Sequence, residues 1–278
     1  MTYDYPHLTV TVLDGVATVL IDNPPINLMT SGLFRSLAKV SVDLSKDDEV
    51  RVVVLRSANP EFFIAHFDVT AILEFPTNGE AVEEPELGGF DRMCEAYRTM
   101  GKVTIAELRG RVGGGGAELS SACDMRFGDL ETFQWNQMEV PLGILPGGGG
   151  TQRIPRLVGI GRAMEVVLGA DDVDAETAER WGFLNRAMSG DSLSAYVDAL
   201  ATRIASFPPA AVREAKRAVN ASVERSLDEG LKYESYLFQV LLRDVDAQPS
   251  MRQYLDAGGQ TRDVELHIGS VMGELFDT

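Results

Sequence analysis

Four consecutive glycines, Gly113 to Gly116, stand between an apolar strand-like run and a helix-like one in VTIAELRGRVGGGGAELSSACD, and a single carboxylate, Glu118, follows them. Glycine costs about 1 kcal/mol against alanine inside a regular element, so such a run marks a place where bare backbone is needed. Something must approach that backbone closely. A dinucleotide-binding turn would place G-x-G-x-x-G between the strand and the helix. From Gly113 and Gly115 the third glycine would fall on Glu118, whose charge repels a pyrophosphate. The second run, PGGGGTQ at 146–152, has no Gly-Lys-Ser/Thr after it, so it is not a phosphate loop either.

The elements around the glycines define the class. LTVTVLD and GVATVLID, residues 8–22, read as two strands, and Asp14-Gly15 between them is a hairpin turn. After Pro24-Pro25, Thr30 or Ser31 caps a helix to about Leu44 with Leu33, Phe34, Leu37 and Val40 on one face. RVVVLRS (51–57) and VTIAEL (103–108) read as buried strands, with a helix over 90–100 between them and further strands at MRFGD and FQWNQ. The segment 76–89, with Glu80, Glu83, Glu84 and Glu86 among prolines and glycines, reads as a mobile acidic loop. Alternating strands and helices predict an α/β core over residues 1–190. From about Asp191 only helices are expected, with breaks at Pro208-Pro209, at 244–249 and at Gly258-Gly259.

Charge and composition narrow the partners. The chain has 278 residues, 25 basic against 42 acidic, for a net charge of −17. That balance argues against nucleic acid and anionic membranes as partners, since both reward lysine and arginine. No apolar run reaches the ~20 residues of a membrane span, and the first residues do not resemble a secretion signal. Cys94 and Cys123 have neither disulfide-framework nor metal-ligand spacing and read as buried thiols. A cytoplasmic protein without a metal is expected.

A second use of bare backbone at a helix start is to hold a negatively charged oxygen. The first N–H groups of a helix have no internal partner, and the helix dipole adds to their pull. Glu118, one turn on, would face the same ligand; the alternative is an acid that merely favours a helix N-terminus. Downstream, FQWNQMEVPLGILPGGGGTQRIPRLVG (133–159) sets one acid, Glu139, in a stretch otherwise free of carboxylates. An apolar setting raises a carboxyl pKa, whereas a helix N-terminus keeps a carboxylate ionised. Two acids with such opposed surroundings would supply a base and an acid at neutral pH.

These stretches resemble the enoyl-CoA hydratase/isomerase, or crotonase, superfamily. GRVGGGGAELSSACD is similar to its second signature, QMEVPLGILPGGGGTQRIPRLVG to the segment after it, and FFIAHFDVTAI (62–72) to its first oxyanion-hole segment. NPPINLMT (23–30) resembles its acyl-CoA loop, and ADDVDAETAERWGFLNRA (170–187) and AKRAVN (215–220) also fit. The resemblance implies a crotonase-like α/β spiral of repeated β-β-α units, followed over 191–278 by a helical segment that supports homotrimers or homohexamers. It implies that the N–H groups of Phe67 and Gly115 hold a thioester oxygen and that Glu118 and Glu139 flank a water, Glu118 as base and Glu139 as acid. Ile26, Ala65, His66, Asp68, Gly114, Met138 and Leu142 fall at substrate-binding positions. The implied substrate is an acyl-CoA thioester, with no cofactor besides that coenzyme A. Retention of both acids favours a hydratase over a double-bond isomerase or another acyl-CoA lyase; a non-catalytic acyl-CoA-binding protein is the rival from another class.

The departures bear on the substrate. Where the family has Ala-Gly-Ala-Asp or similar, this chain has Ala65-His66-Phe67-Asp68, and Met138 replaces the usual proline before the second glutamate. Lysines that often meet the nucleotide phosphates are absent, with Glu61 and Thr70 in their region. Arg35, Arg56, Arg98, Lys216 and Arg217 are the candidate replacements.

Overall fold

The Asp14-Gly15 turn forms as its sequence predicts. β1 (Leu8–Leu13) and β2 (Val16–Ile21) pair antiparallel with Leu13 opposite Val16, and φ is 48° at Asp14 and 78° at Gly15. This two-residue turn needs positive φ at both positions, which Asp-Gly supplies at low cost. The structure, a computed structural model, describes residues 3–276.

Two sheets follow from a strict alternation. The larger contains β1, β2, β3 (Val52–Ser57), β5 (Val103–Leu108), β7 (Met125–Asp129) and β10 (Arg186–Met188) in that order, parallel from β2 onward. The smaller contains β4 (Phe62–Ile64), β6 (Arg111–Gly113), β8 (Gln134–Asn136) and β9 (Val173–Asp174), with only the last pair antiparallel. Three times the chain lays one strand in the larger sheet, the next in the smaller, and then turns into helix. β3 and β4 lead to α2 (Val69–Leu73) and α3 (Gly89–Thr99), β5 and β6 to α4 (Gly114–Ala122), and β7 and β8 to α5 (Gly150–Val158). The molecule is a crotonase-like spiral of β-β-α units.

β3 and β5 are buried on both faces, which is why they read as unbroken apolar runs. Val53, Leu55, Ala106 and Leu108 face the main core, shared with α1 (Ser31–Lys46) through Leu33, Leu37, Val40 and Leu44. The alternate residues Val52, Val54, Val103 and Ile105 pack with Leu193, Val197 and Ala201 of α8 (Gly190–Ser206). The first C-terminal helix is therefore a layer on the larger sheet. Thr30 caps α1, accepting from Leu33 N at 3.2 Å.

α6 (Ile160–Gly169) and α7 (Ala175–Trp181) complete the core, and α9 (Pro209–Ala221), α10 (Leu227–Leu241), α11 (Ala247–Asp256), α12 (Arg262–Glu265) and α13 (Ile268–Glu274) form the helical end. The break expected over 244–249 is shorter, since α11 starts at Ala247 and accommodates Pro249 in its first turn, where a proline costs no helix bond. Residues 74–88 carry neither helix nor strand and are exposed. No helix among the described residues is long and apolar enough to cross a membrane.

Candidate active site

The glycine run lets three pieces of backbone and side chain meet at the start of α4. A Cβ on Gly113 would lie 2.2 Å from the Ala65 carbonyl oxygen, one on Gly116 2.6 Å from the Ile64 carbonyl oxygen, and one on Gly114 2.7 Å from Glu139 Oε1. The groups that approach the bare backbone are therefore β4, the segment after it, and the second acid. Gly114 also has φ of +41°, a conformation that only glycine adopts readily.

The two expected amides stand beside one another. Met29 bridges to Phe67 in parallel fashion, with Met29 N donating to His66 O at 2.9 Å and Asp68 N donating to Met29 O at 3.1 Å. That pattern leaves the Phe67 N–H pointing away from the bridge. Gly115 is the second residue of α4, whose start has no side-chain cap, so its N–H is one of the helix's unpaired donors. A Cβ on Gly115 would be 3.6 Å from Phe67 N. Neither amide donates to a protein acceptor among the described residues.

Glu118 is buried, and its Oε1 accepts from Gly148 N at 2.7 Å and Gly150 N at 2.9 Å. Burial pushes its carboxyl up to about 7; those two N–H groups oppose the rise, and the Glu139 charge adds to it. The expectation of an ionised Glu118 set against a raised Glu139 is corrected here. Glu118 is the fifth residue of α4, beyond the turn in which a helix dipole acts. Burial also raises the Glu139 carboxyl, opposed by backbone hydrogen bonds and by the nearby His66. The fully buried Gln137, with its amide nitrogen toward Glu139, donates to Oε2 at 2.9 Å and Oε1 at 3.3 Å. Glu118 is thus held near the point where it can gain or lose a proton at neutral pH, and Glu139 is shifted in the same direction.

One cavity of about 270 Å³ brings together Phe67, Gly115, Glu118 and Glu139, together with Phe90, Gly147 and Gly148. Its remaining wall is Ile72, Phe75, Ile144 and Leu145, none of which the sequence singled out. A wider cleft of about 820 Å³ by Asp14, Arg51 and Phe207 brings no such pair of raised acids together among the described residues.

The other expected site residues do not line this cavity. Ile26 accepts from Ala65 N at 3.3 Å, and Ala65 is buried against Gly113. His66 Nδ1 meets the Phe67 carbonyl at 2.8 Å. Asp68 caps α2, accepting from Thr70 N at 2.9 Å. Met138 is half-buried, and Leu142 is exposed on the turn of 3₁₀ helix Val140–Leu142. Among the basic candidates, Lys216 is buried on Asp124 at 2.8 Å, while Arg56 pairs with Glu107 and Asp198, Arg98 with Glu95 and Glu224, and Arg217 with Glu214. Arg35 is exposed and forms no ion pair among the described residues. No group of three or more His, Cys, Asp or Glu side chains among the described residues is placed to hold a metal ion.

Comparison with known proteins identifies the family. The family model described as enoyl-CoA hydratase/isomerase matches residues 11–261. A short-chain-enoyl-CoA hydratase from Clostridium acetobutylicum is 30% identical over 243 residues, covering 87% of this chain and 91% of the relative. The solved structure of a Streptomyces avermitilis protein assigned as an enoyl-CoA hydratase is 38% identical, with a TM-score of 0.71 over 98% of this chain and 99% of that one. An enoyl-CoA hydratase from Bacillus anthracis superposes with a TM-score of 0.82 at 25% identity, over 91% of this chain and 97% of that one. With the β-β-α spiral, the glycine-lined start of α4 and a match over most of its length, the chain belongs to the enoyl-CoA hydratase/isomerase family.

Proposed function

We propose that this protein adds water across the 2,3 double bond of a 2-enoyl-CoA thioester. The observation that carries this reading is the convergence of Phe67 and Gly115, with their unpartnered N–H groups, and of two raised carboxyls on one cavity. The thioester oxygen accepts from the Phe67 and Gly115 amides, which stabilise the negative charge that develops there. Ionised Glu118 takes a proton from water as the water oxygen bonds to C3. The electron pair moves to C2, which takes the proton of Glu139. Water is consumed, no other reactant is required, and the two acids exchange protonation states over the turn.

A double-bond isomerase needs one acid to carry a proton between C2 and C4, and the second acid, the half-buried Glu139, favours the hydratase. The rival reading as a non-catalytic acyl-CoA-binding protein gains from the loss of basic residues, since among the described residues every candidate except Arg35 is already engaged in an ion pair. The experiment is to mix the protein with crotonyl-CoA and longer enoyl-CoA thioesters and follow the ultraviolet absorbance of the conjugated thioester. Turnover that falls on the order of 10²-fold or more in Glu118→Gln and in Glu139→Gln is expected; turnover indifferent to both substitutions would remove the hydratase mechanism.

The same reading includes a homotrimer or homohexamer in the cytoplasm, with no cofactor beyond the substrate's coenzyme A. Apolar residues left exposed along the C-terminal helices, among them Val219, Leu227, Leu231 and Phe238, support the assembly. The two buried free thiols are consistent with a reducing compartment.

A further inference from the structure

Three aromatic rings, Phe67, Phe75 and Phe90, line the cavity beside the two acids. Phe90 is stacked on Phe34 with centroids 5.9 Å apart and planes at 21°, and met edge-on by Phe67 at 5.8 Å and 77°. The Phe90 ring lies directly on bare backbone on two sides. A Cβ on Gly115 would stand 3.4 Å from its Cζ, and one on Gly148 2.4 Å from its Cδ1. One ring therefore borders both the amide proposed to hold the thioester oxygen and the loop that holds Glu118. Phe75, Ile72, Ile144 and Leu145 extend this wall, and among the described residues the two glutamates supply its only polar side chains.

We propose that the cavity selects a neutral, planar, aryl-substituted acyl group, a 3-aryl-2-propenoyl thioester of the cinnamoyl type, over short or straight alkyl chains. The proposal rests on the hydratase reading for the position of the thioester. Size is the first reason. A cavity of roughly 150 Å³ suffices for benzene, so about 270 Å³ holds a three-carbon enoyl unit and a ring, whereas a crotonyl methyl would leave much of it unfilled. Rigidity is the second. A conjugated acyl group is planar from carbonyl to ring and loses little torsional freedom on binding, while an alkyl chain loses rotamers at each bond. Its ring also gains edge and face contacts with Phe67, Phe75 and Phe90.

Charge is the third reason. The chain runs from Phe75 straight into the exposed loop with Glu80, Glu83, Glu84 and Glu86, which repels an acyl group ending in a carboxylate. The wall beyond the acids offers no side-chain donor to a polar substituent.

The test separates pocket from chemistry. Binding of cinnamoyl-CoA, crotonyl-CoA and 2-octenoyl-CoA is measured by calorimetry on Glu118→Gln and, as a second slow variant, on Glu139→Gln, alongside initial rates for the unsubstituted enzyme. Cinnamoyl-CoA is expected to bind at least tenfold tighter than crotonyl-CoA and tighter than 2-octenoyl-CoA. Phe75→Leu and Phe90→Leu should each shrink that preference roughly 2- to 12-fold. Octenoyl binding as tight as cinnamoyl, or a preference untouched by both substitutions, overturns the proposal even if crotonyl-CoA is hydrated. Tight cinnamoyl binding with no turnover of any thioester instead overturns the hydratase reading and leaves the pocket assignment standing.

Discussion

Glu118 is caught between burial, which favours its neutral form, and two backbone N–H groups, which favour the carboxylate. Raised from 4.5 to about 7, its carboxyl costs nothing below 4.5, and stability is lost as pH rises through 7 and a charge must be kept buried. The interval corresponds to about 3 kcal/mol. Glu118→Gln keeps an acceptor for both N–H groups without the charge, so it should unfold like the parent at pH 4 and be more stable by up to about 3 kcal/mol at pH 8 in urea titrations. A base must be ionised to act, so kcat/KM is expected to fall as pH drops through about 7. Gln137→Met, which removes the donor to Glu139, should lift the Glu139 pKa further and move the alkaline limb of the profile upward. A lower rate with an unmoved limb would make Gln137 a packing residue only. Both acids were legible in the sequence because each is a lone charge in an apolar setting. Gln137 was not, since a buried amide next to an acid has no pattern of its own.

At the scale of elements, the glycine run fixes how closely α4 and β4 approach. Gly116→Ala would press a methyl group against the Ile64 carbonyl oxygen at 2.6 Å and its Cβ at 2.8 Å, and is expected to cost about 1 to 3 kcal/mol. Gly230→Ala is the control. A Cβ there meets nothing within 4 Å on α10, so the same change should stabilise by about 0.5 to 1 kcal/mol. Urea unfolding of the two variants checks both signs. The long elements were readable from apolar period and turn residues. β4, β6, β9 and β10 were not identified as strands, because two or three residues carry no period and form strands only where a neighbour offers a ladder.

Across the whole molecule, α8 is joined to the larger sheet by polar contacts as well as packing. Glu107 of β5 accepts from Arg56 Nε and from Ser194 Oγ of α8, each at 2.7 Å, and Arg109 pairs with Asp129 at the same distance. The later helices differ, with α10 burying only Leu237. A charge at an exposed apolar position there, such as Phe238→Asp, is expected to shift the proposed trimer or hexamer toward monomer in light scattering while leaving the far-ultraviolet circular dichroism unchanged. Retention of the full oligomer would place the interface elsewhere.

The sequence by itself determined the α/β class, the turn at Asp14-Gly15, a helix cap at Thr30 or Ser31, the need for bare backbone at Gly113 to Gly116, and the two carboxylates with their family resemblance. Each of these is local, set by steric limits, periodicity or a motif within one short stretch. Only the tertiary structure decided that Glu118 is raised as well as Glu139, that Lys216 is spent on Asp124, and that Phe75, Phe90, Ile144 and Leu145 form one wall. Burial, charge neighbours and cavity walls arise from residues far apart in the chain, and no single stretch of it carries them.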